Sequence, residues 1–435
     1  MSRARARRAV WIGLALLGPV TTARAEEPAP LALSGAKVHL GTGEVLEGVT
    51  VVLRGRRIAA VGRDPELPPG TRRVDLTGQH LYPGLIDMDS VLGLVEIGSV
   101  KGTQDVEEVG ALNPNLRAEA AVNPDSELLP VARTGGVLLV LTSARSGLVP
   151  GLSALIQLDG WTYEEMTVRA PAFLHVRWPS LAIDRAGKGD HAPDKQRERI
   201  AAQLRSLQEM LAQARAYWAA RAAPGGERPQ AADVQWEALR PVLEGLVPVA
   251  IHAPALRELR AALRWAEQEG LRAVVVGCPD AWRLAPELAR RDVPVILGPL
   301  HELPRREWES VDVPYEAPAR LHAAGVRLAF SGGGDGFAAA NARNLRLEAA
   351  QAVAYGLPVA AAERALTLGA AEIAGAGERL GSLVEGKDAT LFAADGDILA
   401  VPTQVTRAWI GGREVELTDR QLRLYERYRG RPRRE

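Results

Sequence analysis

Six short apolar runs recur through the middle of the chain with helical stretches between them, and this alternation limits the fold more than any other feature. The runs are Gly136–Leu141, Ala172–Val176, Val247–His252, Ala273–Gly277, Val293–Leu297 and Val326–Ser331. Each is apolar at nearly every position, as a strand covered on both faces must be. Between them Leu256, Leu259, Leu263 and Ala266 recur at helical spacing, as do Leu284, Leu288 and Ala289. Strand–helix alternation of this kind predicts a parallel sheet covered by helices. Its length favours an α/β fold of the closed (β/α)8, TIM-like barrel type. The alternative is an open, doubly wound sheet.

The two ends have a different texture. Ala36–Leu40, Val49–Leu53 and Arg57–Val61 read as strands between glycine-bearing turns, and Gly381–Leu391 and Ala408–Arg413 repeat the pattern. Two β-rich ends around one α/β middle predict a composite β-sandwich formed by the N- and C-terminal segments. The expected parts are residues 26–82 for the first half of the sandwich, 83–377 for the barrel, and 378–435 for the second half with a basic tail. Ile200, Leu204, Leu207, Leu211 and Trp218 mark one long helix inserted in the middle. It is read as extra packing on the outside of the barrel, with a partner-binding helix as the alternative. Disorder is expected only after Tyr428.

The first 25 residues have the form of a secretory signal. Arg3, Arg5, Arg7 and Arg8 precede an apolar run near Val10–Val20, and Ala23-Arg24-Ala25 supplies small residues for cleavage. The run is well short of the roughly 20 residues that span a bilayer, so a periplasmic or secreted protein without a membrane span is expected. Removing that segment leaves 48 basic residues against 53 acidic ones. A mildly acidic surface offers no field for nucleic acid or anionic lipid. Cys278 is alone, so no intrachain disulfide can form. Stability has to come from a large core, which a chain 47% hydrophobic can supply. A small molecule is the expected partner, and a homo-oligomer is compatible with the composition.

Leu81-Tyr82-Pro83-Gly84-Leu85-Ile86-Asp87 resembles the end of the first barrel strand in the amidohydrolase superfamily. Gly381-Ser382-Leu383-Val384-Glu385-Gly386-Lys387-Asp388-Ala389-Thr390-Leu391 is similar to the segment that returns such chains to their sandwich, with Thr390 in place of the usual Asp. Arg343-Asn344-Leu345, Gly356-Leu357-Pro358 and Ala365–Ala371 are similar to its closing helices. The nearest resemblance is to imidazolonepropionase-type members, and it covers nearly the whole chain after the leader.

That resemblance implies a metal site at the carboxyl ends of the strands. The His-x-His pair expected after Ile86 is absent: Asp89 and Val91 stand in its place. Asp89 can still offer oxygen to a divalent ion; Val91 can offer nothing. No lysine lies in Ala172–Val176, so a carbamate bridging two metals is excluded, and His175 is either a substitute ligand or a packed core histidine. His252, at the end of its strand, matches a metal-binding histidine. Cys278 is read as a buried small hydrophobe, with a thiolate ligand as the alternative.

Asp335 follows the last strand in Ser331-Gly332-Gly333-Gly334-Asp335-Gly336 and is the nearest match to the carboxylate that, by the resemblance, ligates metal and accepts a proton from attacking water, with His175 or His301 as a further ligand; a flexible glycine turn is the bland alternative. Arg177 is the candidate for steadying an oxyanion. Glu96, in an acidic loop, and His301 are candidates for touching substrate. No Gly-x-Ser-x-Gly, Cys-x-x-Cys or His-Glu-x-x-His motif occurs.

The expectation is an exported hydrolase acting on a carbon–nitrogen bond of a small or cyclic amide. It would hold one divalent metal (zinc, manganese or iron) through Asp89, His252 and His175, or none. The competing expectation is a non-catalytic amidohydrolase fold that uses its mouth for binding.

Overall fold

The computed structural model describes residues 29–223 and 231–431. The expected leader, the glycine-rich stretch after the long helix and the last four residues lie outside them. Part of the basic tail is ordered, because the helix Arg420–Arg429 continues past Tyr428.

The first strands are Leu31–Ser34 (β1), Lys37–His39 (β2), Val45–Leu46 (β3), Thr50–Arg54 (β4), Arg57–Gly62 (β5), Arg72–Asp75 (β6) and His80–Pro83 (β7). The middle supplies Leu85–Ser90 (β8), Val137–Thr142 (β9), Gly151–Leu152 (β10), Ala154–Gln157 (β11), Thr167–Arg169 (β12) and Leu174–Arg177 (β13). Val249–His252 (β14), Ala273–Val276 (β15), Val295–Leu297 (β16) and Leu328–Phe330 (β17) follow. Leu391–Ala394 (β18), Val405–Ile410 (β19) and Arg413–Val415 (β20) end the set.

Two sheets belong to the ends. One runs β5-β4-β1-β6, the other β20-β19-β18-β7-β2-β3. β18 pairs antiparallel with β7, Leu391 opposite Pro83, so strands from opposite ends of the chain share one sheet. Their facing apolar side chains, among them Leu33, Val51, Ile58, Leu81, Leu391 and Trp409, form a separate buried cluster. Both ends of the chain contribute side chains to this one cluster.

The other two sheets, β12-β11-β9-β8 and β10-β13-β14-β15-β16-β17, carry the α/β middle. β8 and β9 are parallel, as are β13 through β17 in sequence order. β9 is buried along its full length, as the unbroken apolar run requires. The regular strand–helix repeat fails at one place. β11 runs antiparallel to β9 and β10 antiparallel to β13, with Ser153 between them. The cause is the connection: only residues 143–150 separate β9 from β10, and no helix lies among them. A parallel return needs about a dozen residues or more, so this short link sends the chain back antiparallel.

The free edges of these sheets, β8 and β17, are joined by side-chain bonds. Ser331 Oγ donates to the Asp89 carbonyl at 2.8 Å, and the Gly332 amide donates to Asp87 Oδ1 at 3.2 Å. Both bonds sit at the carboxyl ends of their strands, which brings the first and last parallel strands together around one mouth.

The inserted helix spans Pro193–Ala222. Its stripe of Leu207, Met210, Leu211 and Ala214 is buried in the main core. Trp218 Nε1 donates to the Trp236 carbonyl at 2.8 Å, tying it to the helix Val234–Leu243. The apolar stripe is therefore used within this chain, in keeping with the packing reading.

Candidate metal centre in an arginine-lined cleft

Side chains alternate faces along a strand, so Asp87 and Asp89 share one face of β8, and His175 and Arg177 share one face of β13. β14 lies beside β13 with His252 in register with Arg177. The result is a close group: ligand atoms of Asp89, His175 and His252 lie within 4.8 Å of one another. His175 Nδ1 and His252 Nε2 are 2.8 Å apart. His175 is 1% exposed, and its Nε2 has no partner among the described residues.

Both imidazoles are held neutral. Burial drives the titration of His175 well below its ordinary value, and the neighbouring His252 adds to this. His252 falls likewise, through burial first and then through the positive charges of Arg145 and Arg177. Neutral imidazole is the form that binds metal. Two such nitrogens and a carboxylate oxygen match the three-protein-ligand pattern of catalytic zinc. The donor set therefore fits a single ion.

Asp89 has a second partner that the sequence gave no reason to expect. Arg145, in the loop after β9, places one guanidinium nitrogen 2.6 Å from Asp89 Oδ1, with both side chains almost out of solvent. The Arg145 amide donates to the Val106 carbonyl at 2.7 Å, which fixes the loop. The guanidinium lies directly on the backbone of Gly334. A Cβ at that position would come 2.3 Å from its central carbon, so any side chain there would have to displace the guanidinium. The glycine turn thus has a definite task.

Behind this group sits Asp87. Its carboxylate accepts from the amides of Gly332 and Asp89, and burial pushes its pKa up to about 7. Val91, at the position of the lost second histidine, is 1% exposed and belongs to the apolar core. Burial likewise pushes the Cys278 thiol up to about 12, and its sulfur is not among the donors that gather at Asp89, His175 and His252.

The group opens into a cleft of about 450 Å³ lined by Asp89, Arg145, Arg177, His252, Arg305 and Asp335, together with Trp178 and Gly334. Asp335 is therefore present, but Oδ1 accepts from the Ala338 amide at 2.8 Å and caps the helix Gly336–Ala340. It stands apart from the three-residue group as an N-cap with one oxygen left over.

The two expected substrate contacts are elsewhere. Glu96 accepts from Asn123 Nδ2 at 3.4 Å and the Glu127 amide at 3.3 Å, anchoring its own loop outside the cleft lining. His301 pairs with Glu348 at 2.9 Å and does not line the cleft either. Arg145 and Arg305 were missed because a single arginine in a loop carries no spacing signal; the only clue is a basic residue soon after a strand's carboxyl end.

Residues 248–415 match the amidohydrolase family. Among curated relatives, amidohydrolase tasK of Hapsidospora irregularis is 25% identical over 380 residues, which is 80% of this chain and 37% of that protein. An adenine deaminase of Rubrobacter xylanophilus is 42% identical over 69 residues, 15% of this chain and 11% of its own length. The chain thus spans well under half the length of the curated relatives it matches. Among solved structures, an amidohydrolase from Thermotoga maritima superposes with a TM-score of 0.77 at 26% identity, covering 89% of this chain and 99% of that one. An adenosine deaminase from Xanthomonas campestris with bound zinc shares the fold at 19% identity, with a TM-score of 0.52 over 89% of this chain and 93% of that one. Residues 248–415 thus match the amidohydrolase family, and 89% of the chain shares the fold of the Thermotoga amidohydrolase, with the donor cluster at the strand ends.

Proposed function

We propose that this chain is a hydrolase of a carbon–nitrogen bond in a small amide, with one divalent metal held by Asp89, His175 and His252. The observation that carries the reading is the meeting of these three donors within 4.8 Å at the carboxyl ends of three strands. When bound, such an ion lowers the pKa of a water molecule and polarises a carbonyl. The chain's own residues supply the rest. Arg145 fixes the Asp89 carboxylate by its 2.6 Å ion pair and sets which oxygen remains free. Arg177, exposed on the same cleft, offers hydrogen bonds to charge developing on a carbonyl oxygen. Asp335 is the cleft carboxylate not paired with a cation, and takes the proton released by the attacking water on the oxygen its helix cap leaves free.

The sheets carrying β8 and β17 are read as one eight-staved barrel closed through Ser331 and Gly332, with β10 and β11 as its reversed third stave. The basic start and apolar run of the first 25 residues support export. A second reading, a barrel that only binds, is favoured by one observation: an arginine already occupies an oxygen of the sole carboxylate in the donor group.

Metal content decides between them. The full chain is purified without chelator, incubated with zinc, manganese or iron, and compared with Asp89→Ala and His252→Ala. Close to one equivalent, lost in both variants, is expected. No metal under any condition removes the hydrolytic reading and leaves the binding one.

A further inference from the structure

The charges around the cleft are unbalanced. Among the described residues lining it, Arg145, Arg177 and Arg305 are cations, and Asp89 and Asp335 are the carboxylates. Arg145 and Asp89 neutralise each other. Arg177 and Arg305 have no carboxylate within ion-pair distance among the described residues, and both are exposed. Arg305 is nevertheless held in place, donating to the Pro254 carbonyl at 2.7 Å just beyond β14. Two guanidinium groups, neither paired with a carboxylate and one hydrogen-bonded in place, thus share one concave mouth in which Asp335 is the one carboxylate left without a cation. Guanidinium is the side chain best matched to a planar carboxylate, through paired hydrogen bonds.

A second cavity, of about 180 Å³, adjoins the first. Gly277 and Arg305 line both. Its other walls include Cys278, Leu297, Leu300, Val313 and Pro314. Two of its carboxylates, Asp280 and Glu309, are already bound to Arg283 and Arg306. What remains, apart from the exposed Glu302, is a mainly apolar recess opening beside Arg305. A charged cleft next to an apolar recess, with one arginine at their border, selects a molecule having the same two parts.

We propose that the ligand of this cleft is an amide bearing a carboxylate and, next to it, an apolar side chain: an N-acylated apolar amino acid or a dipeptide ending in one. The carboxylate sits against Arg177 and Arg305, and the side chain enters the Cys278–Pro314 recess. The inference rests on the cleft being the substrate site, as proposed above, but not on the hydrolysis itself.

Calorimetric binding to the full chain tests it without turnover. The probes are N-acetyl-L-leucine, its neutral carboxamide N-acetyl-L-leucinamide, N-acetylglycine and inorganic phosphate. The acid is expected to bind at least about tenfold more tightly than its carboxamide, the loss of one charge-assisted hydrogen-bond pair. It should also bind more tightly than N-acetylglycine, which lacks the apolar arm. Arg177→Met and Arg305→Met should each remove the preference for the acid while leaving the melting temperature unchanged. Equal affinity for acid and carboxamide in the wild type overturns the proposal, as does failure of the acid to bind at millimolar concentration. Phosphate binding as tightly as N-acetyl-L-leucine overturns it in favour of a simple oxyanion site. If the acid binds as expected but no amide is cleaved with any metal, the hydrolase reading fails and this one stands.

Discussion

Stability near neutral pH should be governed by three buried groups that pull in opposite directions. His175 and His252 titrate well below their ordinary 6.5 in the folded chain, and Asp87 titrates near 7 against an ordinary 3.8. As pH falls through 6.5, each histidine of the unfolded chain takes a proton that its folded counterpart refuses, so folding is weakened. Asp87 acts the other way: folded, it keeps its proton up to about 7, whereas unfolded it releases it near 3.8, so acid strengthens folding through this group. Between about pH 4.5 and 5.5, where both unfolded histidines are charged, the unfolded state therefore binds about one net proton more than the folded state, and stability falls by about 1.4 kcal/mol per unit of acidification.

Variants separate the groups. Asp87→Asn keeps an oxygen to accept from the Gly332 and Asp89 amides but removes the titration, so the slope should double to about 2.7 kcal/mol per unit. His252→Gln should bring the slope close to zero, because one histidine then opposes one carboxyl. His80, lowered more weakly by burial and by its neighbours His39 and Lys37, adds a small increment in the histidine direction common to all three chains. It cancels in the differences. The assay is urea denaturation of chelator-treated protein across that pH window. A slope in Asp87→Asn no steeper than the wild type's would refute the assignment of a neutral Asp87, and an unchanged slope in His252→Gln would refute a neutral His252.

Two further predictions concern the mouth. Gly334→Ala places a methyl group 2.3 Å from the centre of the Arg145 guanidinium and displaces it; if the pair with Asp89 is lost, a cost of about 1–3 kcal/mol is expected for a charged hydrogen bond at a nearly buried site. Urea denaturation of the variant checks this, and wild-type stability would show that the ion pair is dispensable. Asp335→Asn should retain the cap on Gly336–Ala340 and wild-type stability, while slowing hydrolysis about a hundredfold or more. Asp335→Ala should lose roughly 1 kcal/mol as well. Equal rates in wild type and Asp335→Asn would remove Asp335 as proton acceptor.

The strands that carry the site were legible because each is an apolar run too short for a helix and bounded by turns. Asp89 and His252 could be named because the resemblance puts metal ligands at those strand ends, and for His252 because a polar ring ending a buried run needs a partner; His175 stayed open between a substitute ligand and a packed core histidine. The reversal at β10 and β11 was not read, although its cause, the short 143–150 connection, is in the sequence. Asp335 followed by Gly336-Phe337 and three alanines carries an N-cap signature, which its position after the last strand masks. Glu96 and His301 were expected at the mouth but lie outside the cleft lining, because their partners, Asn123, Glu127 and Glu348, are set by folding and by no spacing in the chain. Arg145 lies 56 residues from Asp89, and nothing short of the structure joins them.

Those arginines change what the altered first strand means. Loss of the second histidine to Val91 alone would leave a weaker version of the superfamily's metal clamp. Here the surviving carboxylate also carries Arg145 on one oxygen, so Asp89 has a single oxygen for an ion, and a second ion has no donor among the described residues of the group. An ion bound beside Arg145 and Arg177 would add two positive charges to a mouth already holding uncompensated guanidinium groups, with repulsion on the order of a few kcal/mol at about 5 Å and an effective dielectric of about 20. Asp335 alone cannot offset that. The remaining negative charge has to arrive with the ligand, so metal and anionic ligand should each bind more tightly in the presence of the other. The replacement of His-x-His by Asp-x-Val and the gathering of arginines are then two sides of one change, from a cleft charged by metals to one charged largely by its own side chains.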